Sequence, residues 1–380
     1  MKRIRFAVLF VLVLVVSAVA AGSALAAPKI SGVVGQVYVN DNTAGVNSIA
    51  GFDRHADGAL TPLPGSPFAT GGTGTGQGIG SQGALQLSAD GRYLLAVDAG
   101  SSEVSVLKIK HDGGLDPVGT TPSGGVEPVS ITVHDGLVYV ANAGAGGTNY
   151  TGFTLNPGGH LRPLQNSTVS LPDGSQPGQV LFNGDGTHLV GVRVETSVID
   201  SFTVGGDGRL TAAPGSPFPA QGLGPFGSEF SPINPTQLFV ANAHDGAGNG
   251  TVSAFSVADN GTLSSIGTSP YPDLQTAPCW VEISHDGRFL FAVNTASNSI
   301  SRYEINNDGT LSLLGTTPFK TALLGAFDAR LSPDGTTLWV VGDKAATVSG
   351  FAVNGGSLTE LSNSPTNLPA GATAFGIVVT

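Results

Sequence analysis

Arg193, Glu195, His244 and Asp328 carry the side chains that adding water to a carbonyl requires. An imidazole and carboxylates can take and return a proton, and a guanidinium can hold an oxyanion. Asp245, beside His244, offers the imidazole a second carboxylate partner. The same groups also read as ordinary loop charges, together with Asp98, Glu127, Asp173, Asp343 and Lys344. Other signals for chemistry are thin. Cys279 is the only cysteine, so no internal disulfide forms, and within Cys279-Trp280-Val281 it reads as a small core hydrophobe. No H-E-x-x-H, P-loop or G-x-S-x-G segment occurs. Gly78-Ile79-Gly80-Ser81-Gln82-Gly83 matches G-x-G-x-x-G, but a strand follows it where a phosphate site needs a helix, so it reads as a flexible loop. No cofactor is called for. Asn40, Asn142, Asn242 and Asn294 end apolar runs, where Asn caps turns; a ring of such amide oxygens also has the chemistry to hold a hard cation such as calcium.

The elements that must position these groups are strands. The 380 residues include 56 Gly and 24 Pro, and beyond the N-terminus no stretch sustains a 3.6-residue apolar period. One unit recurs: an apolar run, a tight turn, a run ending in Asn or Asp, a loop, a run ending in an aromatic, then a Gly turn and Leu. The leucines are Leu60, Leu115, Leu161, Leu210, Leu263, Leu311 and Leu358, spaced by 55, 46, 49, 53, 48 and 47 residues. That period suits a four-stranded propeller blade. The expected fold is all-β, a seven-bladed propeller with blades near 34–70, 78–122, 126–172, 175–220, 223–273, 276–320 and 325–368. Asp90-Gly91, Asp185-Gly186, Asp286-Gly287 and Asp334-Gly335 mark two-residue hairpins between first and second strands. The first unit lacks its first strand, and residues 374–380 supply it, closing the ring and removing an exposed edge.

In such blades the second-to-third and fourth-to-first connections share one face, the upper one. His55, His111 and His160 fall on third-to-fourth turns, and His134, His188 and His285 on first-to-second turns, all on the lower face. Only His244 belongs to the upper face, where converging loops on a rigid scaffold commonly bind ligands.

Residues 1–27 read as a secretory leader: Lys2, Arg3 and Arg5, an apolar core from Phe6 to Val16, and the small-x-small site Ala24-Leu25-Ala26. Residues 28–380 form the propeller, with no segment to span a bilayer. Losing three of 16 basic groups leaves 13 against 27 acidic ones, a net charge of about −14. That excludes nucleic acid as a partner and suits a soluble secreted, extracellular or periplasmic monomer. Asn149, Asn166, Asn249 and Asn260 are glycosylation sequons that matter only in a host that uses them.

Tyr38-Val39-Asn40, Tyr139-Val140-Ala141-Asn142, Phe239-Val240-Ala241-Asn242, Asn307-Asp308-Gly309-Thr310-Leu311 and Ser332-Pro333-Asp334-Gly335-Thr336-Thr337-Leu338 together carry a resemblance. Over about residues 34–380 the chain resembles the lactonase family of seven-bladed propellers, which includes a bacterial 6-phosphogluconolactonase and a fungal carboxymuconate-lactonizing enzyme. Related Tyr-Val-x-Asn repeats also occur in surface and binding proteins. The resemblance implies Pro-His-Pro-His opening the fourth blade, where Ser175-Gln176-Pro177-Gly178-Gln179 stands here. It implies Gly-Pro-Arg-His opening the fifth, where Gly224-Pro225-Phe226-Gly227 stands, and Asn-Glu closing that blade's second strand, where Asn242-Ala243 stands. An implied arginine on the sixth blade falls on Glu282. Of an implied Pro-Arg-Asp on the seventh only Asp328 is kept, with Arg330 two residues on. Two readings follow. One is a noncatalytic module binding a carbohydrate, peptide or cell-envelope ligand on the upper face. The other is a secreted lactone hydrolase with a relocated site, using His244 with Asp245 or Glu195 and with Arg193. A structural part of a surface assembly is a third.

Overall fold

The computed structural model describes residues 32–320 and 325–380; the leader expected at residues 1–27 lies outside them. Among the described residues there are strands and turns and no helix, hence no helix long and apolar enough to cross a membrane. Seven antiparallel sheets follow one another along the chain. In the last six blades the first strands are Leu85–Leu87, Pro128–His134, Pro177–Phe182, Pro225–Phe230, Pro278–Ile283 and Ala326–Leu331. The first blade takes Ile377–Val379 as its first strand, antiparallel to Val33–Asn40, with Val37 opposite Val379 and Val39 opposite Ile377. Each first strand packs against those of both neighbouring blades, so these seven strands surround the axis of a closed propeller.

Neighbouring first strands are joined by side chains that accept from the next blade's backbone. Ser130 Oγ accepts from Val180 N at 3.2 Å and Thr132 Oγ1 from Phe182 N at 3.0 Å. Gln179 Oε1 accepts from Ser228 N at 2.6 Å, and Glu282 Oε1 from Leu331 N at 2.8 Å. Asp328 Oδ2 accepts from Gly376 N and so fastens the seventh blade to the closing strand. Polar residues inside these buried strands thus satisfy backbone donors that no sheet ladder reaches.

Apolar faces pack between the blades. Val37, Tyr38, Val39, Tyr139, Phe239, Phe291, Trp339 and Phe351 are all fully buried or nearly so. The expected Asp-Gly hairpins are longer than two residues. Gly91, Gly186, Gly287 and Gly335 have φ of 68–70°, and each donates its N–H to the carbonyl three residues back. A Ser or Thr two residues from the Asp donates to its carboxylate and lengthens the turn.

Candidate functional site

The structure gives the four residues separate surroundings. Arg193 ends the strand His188–Arg193 and makes a buried bidentate pair with Asp200, Nε to Oδ2 at 2.8 Å and Nη2 to Oδ1 at 2.6 Å. Tyr150 of the preceding blade adds its hydroxyl to Asp200 at 3.0 Å. Asn40, Asp98, Asn142 and Asn294 end their second strands in the same way, each bonded to a polar residue seven positions on, namely Asn47, Ser105, Asn149 and Ser301. Asn242, ahead of a longer loop, reaches Thr251 and Ser253. Arg193 with Asp200 is therefore the ionic version of the lock other blades make with amides and hydroxyls. Of the amide oxygens that sequence placed in a ring, Asn40 Oδ1 accepts from Asn42 and Asn47 of its own blade, and Asn142 Oδ1 and Asn242 Oδ1 are buried without a hydrogen-bond partner. Asp328 is fully buried against Gly376, and burial pushes its carboxyl up to about 8. Glu195 and His244 are exposed on loops of the fourth and fifth blades. No hydrogen bond or ion pair joins any two of the four among the described residues. Cys279 is buried, and desolvation pushes its thiol up to about 12, as a core hydrophobe requires.

The upper mouth of the axial channel is filled. Phe226, Phe327 and Phe375 open the first strands of the fifth, seventh and first blades. Their rings meet with centroids 6.4 Å and 5.0 Å apart. Gly78–Gly83, expected to be a flexible loop, instead passes across the axis as a strap. Gln82 N donates to Gly178 O of the fourth blade at 2.9 Å, a bond between blades that are not neighbours in the ring. Ile79, Ser81 and Gln82 are buried. Glycine is needed where the strap lands, since a Cβ on Gly227 would collide with the Gln82 amide.

Beneath the strap lies a polar cavity of about 270 Å³ that runs toward the first-to-second-strand turns. Gln82, Gln86, Thr132, Gln179, Glu229 and Arg330 line it, with His134 nearer the lower end. Arg330 stacks over the Trp280 ring at 5.4 Å and places Nη1 3.4 Å from Glu282 Oε2. Glu229 stands beside this pair. Its carboxyl is raised well above the usual range, first by burial and then by the Glu282 charge, with Arg330 offsetting part of the effect. Glu229 Oε2 and Gln82 Oε1 are buried without a hydrogen-bond partner. Glu229, Gln86 and Thr132 were not singled out from the sequence, and Gln82 and Gln179 entered it only as members of the Gly78–Gly83 and Ser175–Gln179 segments. The signal available was a polar residue inside each apolar first strand, recurring at blade spacing: Gln179, Glu229, Glu282 and Arg330.

The chemistry available at the two ends of the channel thus differs. The upper mouth presents aromatic carbon and backbone. The lower cavity presents amides, a hydroxyl, a carboxyl that takes up a proton readily, and a guanidinium whose charge Glu282 balances.

Comparison with known proteins agrees with this architecture. No curated protein matches the chain by sequence. The solved structure of a Bacteroides uniformis protein named for 6-phosphogluconolactonase activity matches with a TM-score of 0.73 at 20% identity, over 91% of this chain and 99% of that one. A Lactobacillus plantarum protein matches at 0.73 and 18% identity, over 91% and 99%. The Pseudomonas aeruginosa periplasmic gluconolactonase matches at 0.70 and 17%, over 91% and 98%. At these identities the likeness establishes the shared fold. The family model described as "Lactonase, 7-bladed beta-propeller" matches residues 68–373. With that match spanning most of the chain, and with a closed ring of seven blades, this protein belongs to the lactonase family of seven-bladed β-propellers.

Proposed function

We propose that the chain is a noncatalytic binding member of its family, exported to the cell envelope or beyond, which holds a carbohydrate, peptide or envelope component and does not convert it. The observation that carries this reading is the filled upper mouth. Phe226, Phe327, Phe375 and the Gly78–Gly83 strap occupy the place where upper-face loops converge, and Arg193, Glu195, His244 and Asp328 are dispersed around it. Ring opening of a lactone needs a base and an oxyanion partner on one substrate. The upper face instead exposes Val46, Val126, Leu223 and Leu274, each 41–64% accessible, as apolar contact points among polar loops. The leader-like N-terminus and the acidic charge agree with export, and one relative of the same fold is a periplasmic protein.

Lactone hydrolysis within the lower cavity is the second reading, favoured by one observation: the Glu229 carboxyl, held high by burial, lies close to the Arg330 guanidinium. Glu229 would be the proton donor or acceptor and Arg330 the partner of the carbonyl oxygen. A pH-stat assay of the leaderless protein against a panel of aldonolactones and simple γ- and δ-lactones tests both. The expected result is no rate above spontaneous opening, with or without calcium. Turnover abolished by Glu229→Gln would overturn the binding reading in favour of the lower cavity; turnover abolished by His244→Ala would place a site on the upper face.

A further inference from the structure

Deepening the binding reading, and resting on it, we propose that the cavity beneath the strap is a binding site for one small, neutral, polyhydroxylated molecule the size of a single sugar ring or cyclitol. Size is the first argument. About 270 Å³ falls just below the usual range for drug-sized ligands, roughly 300–1,000 Å³, and corresponds to roughly nine waters. Lining chemistry is the second. Gln82, Gln86 and Gln179 supply amides, Thr132 a hydroxyl, and Glu229 and Arg330 an acid and a cation. Such a wall offers donors and acceptors in every direction, as a ring of hydroxyls demands. Its apolar side chains, Val133, Leu181 and Phe182, are too few for a lipid, and the Phe182 ring is already packed against His134 and Tyr139 with centroids 6.0 Å away in each case.

Unmet hydrogen-bonding capacity is the third argument, and it separates a ligand site from a structural gap. Gln82 is 3% exposed, yet its Oε1 has no partner, and Glu229 Oε2 is likewise buried and alone. Buried acceptors left unpaired are costly, so a native site usually supplies donors to them. Hydroxyl groups of a neutral polyol can donate to the Gln82 oxygen and can either donate to or accept from the Glu229 carboxyl. Charge balance decides against an anionic ligand. Arg330 is matched by Glu282 at 3.4 Å, so an added carboxylate or phosphate would enter the cavity with no uncommitted guanidinium to balance it. Gln179 and Thr132 cannot rearrange freely, because they also join neighbouring blades. They make a rigid wall, and Gln82 on the strap closes the site from above.

Isothermal calorimetry and ligand-observed saturation-transfer NMR on the leaderless protein test this with glucose, galactose, mannose, myo-inositol and, as an anionic control, gluconate. One neutral probe is expected to bind at one site per chain. Gln86→Leu, and Glu229→Gln, whose amide oxygen can still accept from the Ile283 backbone of the next blade, should each weaken it at least tenfold with the unliganded melting temperature retained. Arg330→Met, which keeps a side chain over Trp280, should weaken binding as well, with a lower melting temperature because Glu282 loses its counter-charge. Binding of gluconate in preference to every neutral probe would overturn the ligand class. Binding that all three variants leave intact would place the ligand elsewhere, on the upper face, sinking the cavity proposal while the binding reading stands. No signal for any probe, the cavity holding only water, would sink the proposal outright. Lactone turnover in the pH-stat assay would be the separate failure of the binding reading.

Discussion

Asp328 carries neither a salt bridge nor a free face, and its carboxyl sits at about 8 because burial disfavours its charge. Asp41 is likewise pushed to about 7 and Asp273 and Asp343 to about 6, burial being the largest cause in each. In the unfolded chain these groups ionise near pH 3.9. Folding therefore takes up protons, and their contribution is complete below about pH 4 and is lost as pH rises through 6 to 8. Turn aspartates act the other way. Ser332 and the turn backbone hold Asp334 down at about 2, and Asp90 and Asp286 are lowered first by neighbouring serine hydroxyls; their contribution is lost as pH falls below about 4. Maximum stability should fall between about pH 4 and 6. Calorimetry should give a higher melting temperature at pH 5 than at pH 8.5. Asp328→Asn should narrow that difference by raising the pH 8.5 value, since an amide oxygen can still accept from Gly376. Greater wild-type stability at pH 8.5 than at pH 5 would show that these carboxyls are ionised in the fold.

Two repeated devices explain why the sequence unit looks as it does. The tyrosine of the second strand reaches the next blade. Tyr38 Oη donates to Gly113 O at 2.7 Å and Tyr139 Oη to Gly208 O at 2.9 Å, each carbonyl belonging to a third-to-fourth-strand turn. The second device is a serine that spans a break in the fourth strand. In five blades the fourth strand is split, as in Leu161–Pro163 and Val169–Ser170, while Leu115–Pro122 and Leu311–Pro318 run unbroken. At each break a hydroxyl takes the N–H that the strand abandons: Ser66 from Gly51, Ser167 from Gly152, Ser216 from Ser201, Ser269 from Ala254 and Ser364 from Gly350, at 2.7–3.1 Å. Tyr38→Phe and Ser167→Ala should each cost about 1–3 kcal/mol in urea unfolding, because each leaves a buried backbone group unpaired. Ser357→Ala, on an exposed strand position, should stay within about 0.5 kcal/mol. Equal losses at all three positions would mean that these bonds are not what the repeat preserves.

At the scale of the molecule, the ring depends on its last residues. Ala374, Phe375, Ile377, Val378 and Val379 are all buried, and the segment is held by strand pairing to Val37–Val39 and by Asp328. Burying four large apolar side chains at about 1.5–3 kcal/mol each is comparable with the whole stability of a domain, about 5–15 kcal/mol. Deleting Ala374–Thr380 should leave a chain that melts at least about 10 °C lower or fails to fold, read by circular dichroism. An unchanged melting temperature would refute the closure. The same ring geometry turns first strands toward one axis, where the strap divides the channel into a filled upper mouth and a polar lower cavity.

Blade number, strand order and the closing strand were legible in the sequence, because leucine spacing, Asp-Gly turns and period-two apolar runs are local patterns that repeat. The aromatic character of the upper mouth was half legible, in Phe226 and Gly227 standing where the resemblance implies Arg and His. Tertiary structure alone decided the rest. Arg193 was exposed chemistry on paper and became a buried lock once Asp200 and Tyr150 closed on it. Gly78–Gly83 was a loop by composition and became a strap because the partners that hold it, Gly178 and Phe226, lie about a hundred residues or more away in sequence. Glu229, Glu282 and Arg330 come from three successive blades, and packing of their first strands side by side brings the charges within reach of one another. Local pattern sets which strand a residue joins, and polar residues recurring at blade spacing mark the first strands; which of them then share a desolvated space depends on how the blades pack around the axis.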